Sequence, residues 1–200
     1  MAFFPFNTNR ARQAQTDVPA IRTILGSGVM YTPGSPAVAD VDRYFTGVMK
    51  LGAYTLLAAG PDVGARSVTI KRTDAGAADT FGTVVIVGTD ISGAAITETL
   101  TPTVSATEYE TTRAFATVTS VTSVGWVITD AADTFIVGMG DRFGLPDYLT
   151  DTAQVVCASI NNVKEATAPT VTVSATVLSQ NTVNPDTALG GTPFKVYYWL

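Results

Sequence analysis

Two carboxylates two residues apart are the first arrangement in this chain that could do chemistry. Glu108 and Glu110 in ATEYETT would share one face of a strand with Tyr109 on the other, and a carboxylate pair can divide acid and base roles, as in glycoside hydrolysis. Asp40 and Asp42 in ADVDRYF repeat the spacing. Like charges so close on one face are stabilised by water, so both pairs read as solvated rims and not as dyads. Asp90 and Ser92, in VGTDISGAAITETL, could face a metal or a phosphate. A calcium loop needs acidic residues at alternating positions and a closing Glu, whereas Asp90 stands alone. An Asp that accepts backbone N–H groups, next to a Gly93 of positive φ, makes a hairpin turn instead. GMGDRFG places Gly138, Gly140 and Gly144 at a spacing that fits neither a dinucleotide nor a P-loop fingerprint, and no helix-forming run follows. A turn with close backbone packing is expected there.

The chain has no histidine. That removes Ser-His-Asp and Cys-His arrangements, the usual zinc sites and the commonest general base near neutral pH. A single cysteine, Cys157, excludes an intrachain disulfide, and its setting in QVVCASI reads as a buried apolar thiol. No catalytic residue, cofactor or metal is expected, and the chain does not read as an enzyme.

The elements that would carry these residues are strands. Charged residues make up only 14% of the sequence, about half the usual share, while Thr, Ala, Val and Gly dominate. That balance suits sheets whose outer faces bear Thr and Ser in place of Lys and Glu. In SVTIKR, Val68 and Ile70 alternate with Thr69 and Lys71; in TVTVSATV, Val171, Val173, Ala175 and Val177 alternate with hydroxyl residues. Further strands are expected at 43–50, 53–58, 83–88, 95–101, 113–119, 123–129, 134–138, 153–160 and 194–199, with Asn161-Asn162 as a hairpin turn. The text from 139 to 152 is loop-like. Residues 1–40 read as an extended N-terminal arm and loop, with Pro19 interrupting the one helical period at 11–25 and Gly, Pro and Ser crowding 26–40. The expected fold is all-β: an antiparallel sandwich or barrel of about ten short strands over 41–200, with an extended N-terminal arm.

The formal net charge is -5 and the 12 Lys and Arg are scattered singly, so nucleic acid is not expected as a partner. No apolar run reaches the roughly eighteen residues of a membrane helix. The N-terminal cluster Phe3, Phe4 and Phe6 is broken by Pro5 and followed by Arg10 and Arg12, the reverse of a signal peptide's order, which points to synthesis in a reducing cytoplasm. Two features lack a local account. In FKVYYWL, Phe194, Val196, Tyr198 and Leu200 take one strand face while Lys195, Tyr197 and Trp199 take the other. Either this strand is central and covered twice, or one face meets another chain. The three N-terminal Phe residues likewise need a partner surface. Candidate interface residues are therefore Phe3, Phe4, Phe6, Arg10, Arg12, Phe194, Tyr197, Tyr198 and Trp199.

The run VVIVGTDISGAAITETLTP, then RAFATVTSVTS, FIVGMGDRFGLP and a C-terminal VYYWL resemble virion structural proteins of tailed bacteriophages, most nearly capsid decoration (cement) proteins. The likeness spans about 65–200. It implies a non-enzymatic, β-rich protein made in the host cytoplasm and carried on the capsid surface, with the major capsid protein and copies of itself, as a homotrimer or lattice, for partners. The arm would reach neighbouring subunits. The alternatives are a tail or head-completion protein, or a receptor- or carbohydrate-binding module with Tyr109, Trp126 and Tyr148 as stacking platforms.

Overall fold

The computed structural model describes residues 28–75, 79–129 and 131–200. The fold is all-β, with antiparallel sheets of short strands, as the alternating pattern predicts. Its spine is β9 (Thr134–Gly144), along which β4 (Arg66–Thr73) runs antiparallel from Thr73 opposite Thr134 to Arg66 opposite Phe143. The other edge of β9 is shared. β2 (Asp40–Val48) pairs with its first half and β13 (Thr182–Asn184) with its end. β7 (Glu108–Glu110) flanks β4, and β12 (Thr170–Thr172) flanks β13. A second sheet has the order β3 (Gly52–Ala53), β8 (Thr117–Val124), β5 (Thr83–Thr89), β6 (Ala95–Leu100). A third has the order β1 (Gly28–Gly34), β14 (Phe194–Trp199), β10 (Val155–Ile160), β11 (Val163–Lys164).

β9 feeds two cores. Its Phe135, Val137 and Met139, two residues apart and so on one face, join Val68 and Ile70 of β4 and meet Val84, Ile86, Val118 and Val121 of the second sheet. Tyr54 and Trp126 crowd the Phe135 ring at 4.8 and 5.4 Å. Phe143, near the end of the same strand, lies instead with Val183 against Phe194, Val196 and Tyr198 of β14, its ring 4.9 Å from that of Phe194. Removing a ring as enclosed as Phe135 would cost about 3–5 kcal/mol.

Several expected boundaries shift for identifiable reasons. The Gly- and Pro-rich text at 26–40 is not all loop: Gly28–Gly34 is a strand, with Val29 and Tyr31 packed on the second core. Residues 1–27 of the expected arm lie outside the described residues. GMGDRFG is strand and not turn, because its glycines admit close neighbours. A Cβ at Gly138 would stand 2.4 Å from the Val41 carbonyl oxygen, and one at Gly140 would stand 2.4 Å from Ser67 Oγ. The expected strands at 113–119 and 123–129 are one strand, Thr117–Val124, ended by Gly125 at a φ of +72°. TVTVSATV is strand only through Thr172, since Ser174 Oγ accepts from Val177 N and the buried Asn181 amide binds the Ser174 carbonyl. At 53–58, only Ala53 remains in a strand.

Candidate interaction surfaces

The chemistry-bearing residues are occupied in holding the fold. Glu110 is no solvated rim: Ser67 Oγ donates to its Oε1 at 2.5 Å and Arg142 Nη2 to its Oε2 at 3.0 Å, while Glu108 is exposed. Ser67 is wholly buried, and without a stronger base its hydroxyl stays protonated beside a carboxylate already paired with a cation. Asp90 is buried at the tip of the β5–β6 hairpin, where its Oδ1 accepts from Ser92 N, Ser92 Oγ and Ala94 N at 2.9, 2.6 and 3.0 Å. The turn is closed by its own groups. Glu98 of β6 caps a neighbouring loop by accepting from Thr112 N and Arg113 N at 2.7 and 2.9 Å. Asp40 is half-buried and Asp42 exposed. Cys157 is buried, which pushes its thiol pKa up. Among the described residues no three His, Cys, Asp or Glu side chains converge in a way that could hold a metal.

An open groove of about 440 Å³ lies between Val48–Leu51 and Ile128, Thr129 and Ala131. Its one hydroxyl is already committed, because Thr129 N and Oγ1 both donate to Asp79 Oδ1 at 2.7 Å.

Of the aromatic platforms, Trp126 is buried between Phe81 and Phe135 and so offers no face to a sugar. Tyr109 turns its hydroxyl to Thr103 N and Val104 N, at 3.1 and 2.9 Å, and Tyr148 stands exposed. These three residues form no shared platform on which a ring could stack. No protein family, curated protein or solved structure matches the chain. What it does must therefore be read from its own surfaces.

Phe3, Phe4, Phe6, Arg10 and Arg12 lie outside the described residues. Phe194, Tyr197 and Tyr198 are at most 1% exposed within the single chain, which corrects their assignment to an interface. The reason is topological: β14 has β1 on one edge and β10 on the other, so it is a central strand, and Tyr197 is buried on the face opposite Val196 and Tyr198. Tyr198 also donates to Asp147 Oδ2 at 2.5 Å. Trp199 is half-buried and Leu200 exposed.

Sequence reasoning missed two buried arginines. Arg66 is wholly buried; it donates to the Gly140 and Ala37 carbonyls at 2.8 and 3.0 Å and to Asp62 and Asp141 at 2.8 Å, above the Phe143 ring. Arg72, 2% exposed, donates to Pro102 O and Thr103 O, pairs with Asp74 and lies 3.3 Å from the centre of the Phe81 ring. The signal was present: both arginines are in phase with Val68 and Ile70, on the inward face of β4.

Proposed function

We propose that this chain is a non-enzymatic structural protein of a tailed-phage virion, one that binds the capsid as a decoration protein and stiffens it. The observation that carries the reading is how the N-terminal segment is anchored. Residues 1–27, which include Phe3, Phe4, Phe6, Arg10 and Arg12, precede β1 in sequence, and the register of β1 sets Val29 opposite Tyr198 and Tyr31 opposite Val196. β14 is in turn laddered to β10. A pull on β1 is thus borne in shear by its ladder to β14, which β10 holds on its other edge, and by the core beneath it. That suits an arm gripping a neighbouring shell subunit, where many weak contacts on a lattice add as avidity. The low charge keeps the desolvation cost of such contacts small.

The test is to add purified protein to capsids that lack it and follow the temperature of DNA release. Bound protein should raise that temperature, and a version lacking residues 1–25 should keep the β spectrum of the parent but fail to attach. Unchanged capsid stability with the full chain would overturn the reading, and so would full attachment without the arm.

A further inference from the structure

The second sheet has an outer face that turns away from the first core. The strand register shows its composition row by row. Ala53, Thr122, Val85 and Thr99 lie side by side across four strands, and Ser120, Val87 and Thr97 form the next row. Their chain neighbours Val84, Ile86 and Val121 point into the first core, so these rows point outward. Thr97 and Thr99 are exposed, and Val85 and Val87 are half-buried. No outward position of the four strands carries an ionisable group, whereas Asp40, Asp42, Lys71, Glu108 and Lys164 stand on strands of the other two sheets.

We propose that this face is a self-association surface that takes the same face of a second copy about a two-fold axis. Charge points to that occupant. With a formal net charge of -5, copies repel one another, and they approach at least cost through the side that carries no charge. Composition points the same way. A hydroxyl both donates and accepts, so a face of hydroxyls and methyls is complementary to its own copy, while a charged partner would find no counter-charge on it. Two such faces would stack about 10 Å apart, as sheets do.

Area sets the strength. β3, β8, β5 and β6, with 2, 8, 7 and 6 residues, lie about 4.8 Å apart and rise about 3.4 Å per residue, which gives roughly 380 Å² per copy, or roughly 750 Å² for the pair. That lies well under the roughly 1,000 Å² of a stable specific interface, so the pair is weak in solution and becomes firm only where many copies are held together. This use rests on the many-copy reading proposed above, but the test needs no capsid.

Sedimentation equilibrium of the full chain should show a monomer–dimer equilibrium that approaches completion by about 1 mM. Thr97→Lys with Thr99→Lys places cations across the two-fold on exposed edge positions and should weaken dimerisation at least tenfold, with the near-ultraviolet spectrum and melting temperature of the parent. Thr122→Cys should cross-link through a bis-maleimide spanning about 10 Å, the sheet spacing, and Val163→Cys on the third sheet should not. Buried Cys157 stays silent in both. A chain that stays monomeric, or Val163→Cys cross-linking as well as Thr122→Cys, overturns the proposal. Dimerisation by a protein that leaves capsids unchanged would instead keep this face and discard the capsid role.

Discussion

Arg66 of β4 donates to Asp141 of β9 at 2.8 Å with its own side chain wholly buried, so one guanidinium fastens the two longest-paired strands at the point where the two cores meet. Asp62 and two carbonyls take three of its four remaining donors. Removing the buried member of such a network leaves the half-buried Asp62 and Asp141 without a match, which costs more than the network contributes over an apolar substitute. Arg66→Ala should therefore lower unfolding stability in urea by about 3–5 kcal/mol, and Arg66→Met by clearly less. A loss below about 1 kcal/mol for Arg66→Ala would show that the network is idle.

Asp62 makes that network sensitive to acid. Partial burial pushes its carboxyl up, but the Ala37 N–H and the Arg66 guanidinium more than offset this and hold it below the ordinary range. A pKa lowered by folding contributes stability that is present above the unfolded value of about 4 and is lost as pH falls through the folded value. The parent should thus exceed Asp62→Asn in melting temperature at neutral pH, and the gap should close below about pH 4. A gap that stays constant from pH 7 to about pH 3 would remove Asp62 from the linkage.

Gly138 lets β2 lie against β9. A methyl group there would stand 2.4 Å from the Val41 carbonyl oxygen, a backbone atom that cannot turn aside. Gly138→Ala should cost about 3 kcal/mol and raise amide exchange along Asp40–Val48. Gly190→Ala meets nothing within 4 Å and should be neutral by the same measurements.

Period and turn chemistry made much of the fold legible. β5, β6, β10 and β14 fall within two residues of their expected ends, and Asn161 and Asn162 adopt φ of +52° and +61° as the expected hairpin turn requires. Composition misled wherever tertiary contacts decided the outcome. Gly138 and Gly140 read as a turn because their need for close neighbours is written on β2 and β4, not in their own segment. Lys71 and Thr69 made β4 look half-solvated, yet Thr69 is buried and Arg72 beside them is sealed by two carbonyls from residues 102 and 103. The outward rows of the second sheet were foreshadowed by the shortage of charge, but register alone shows which Thr and Val residues stand together.

The C-terminal strand is where the structure most changes an experiment's meaning. A strand at an interface can be removed to release a monomer, but β14 is hydrogen-bonded on both edges and sends Phe194, Val196 and Tyr198 into the second core. Deleting residues 194–200 would bare Phe143, Ala158 and Val183 and leave β1 without its partner strand. The expected product is an aggregating chain with a lost near-ultraviolet signal, not a dissociated monomer. Trp199 is the C-terminal aromatic that can still meet a partner, since it is half-buried and its backbone position is fixed by Gln154 Nε2 donating to its carbonyl at 3.2 Å. Trp199→Ala should lower stability by about 1 kcal/mol while leaving self-association intact. If it abolished self-association at unchanged stability, the contact between copies would belong to the third sheet and not to the uncharged face of the second.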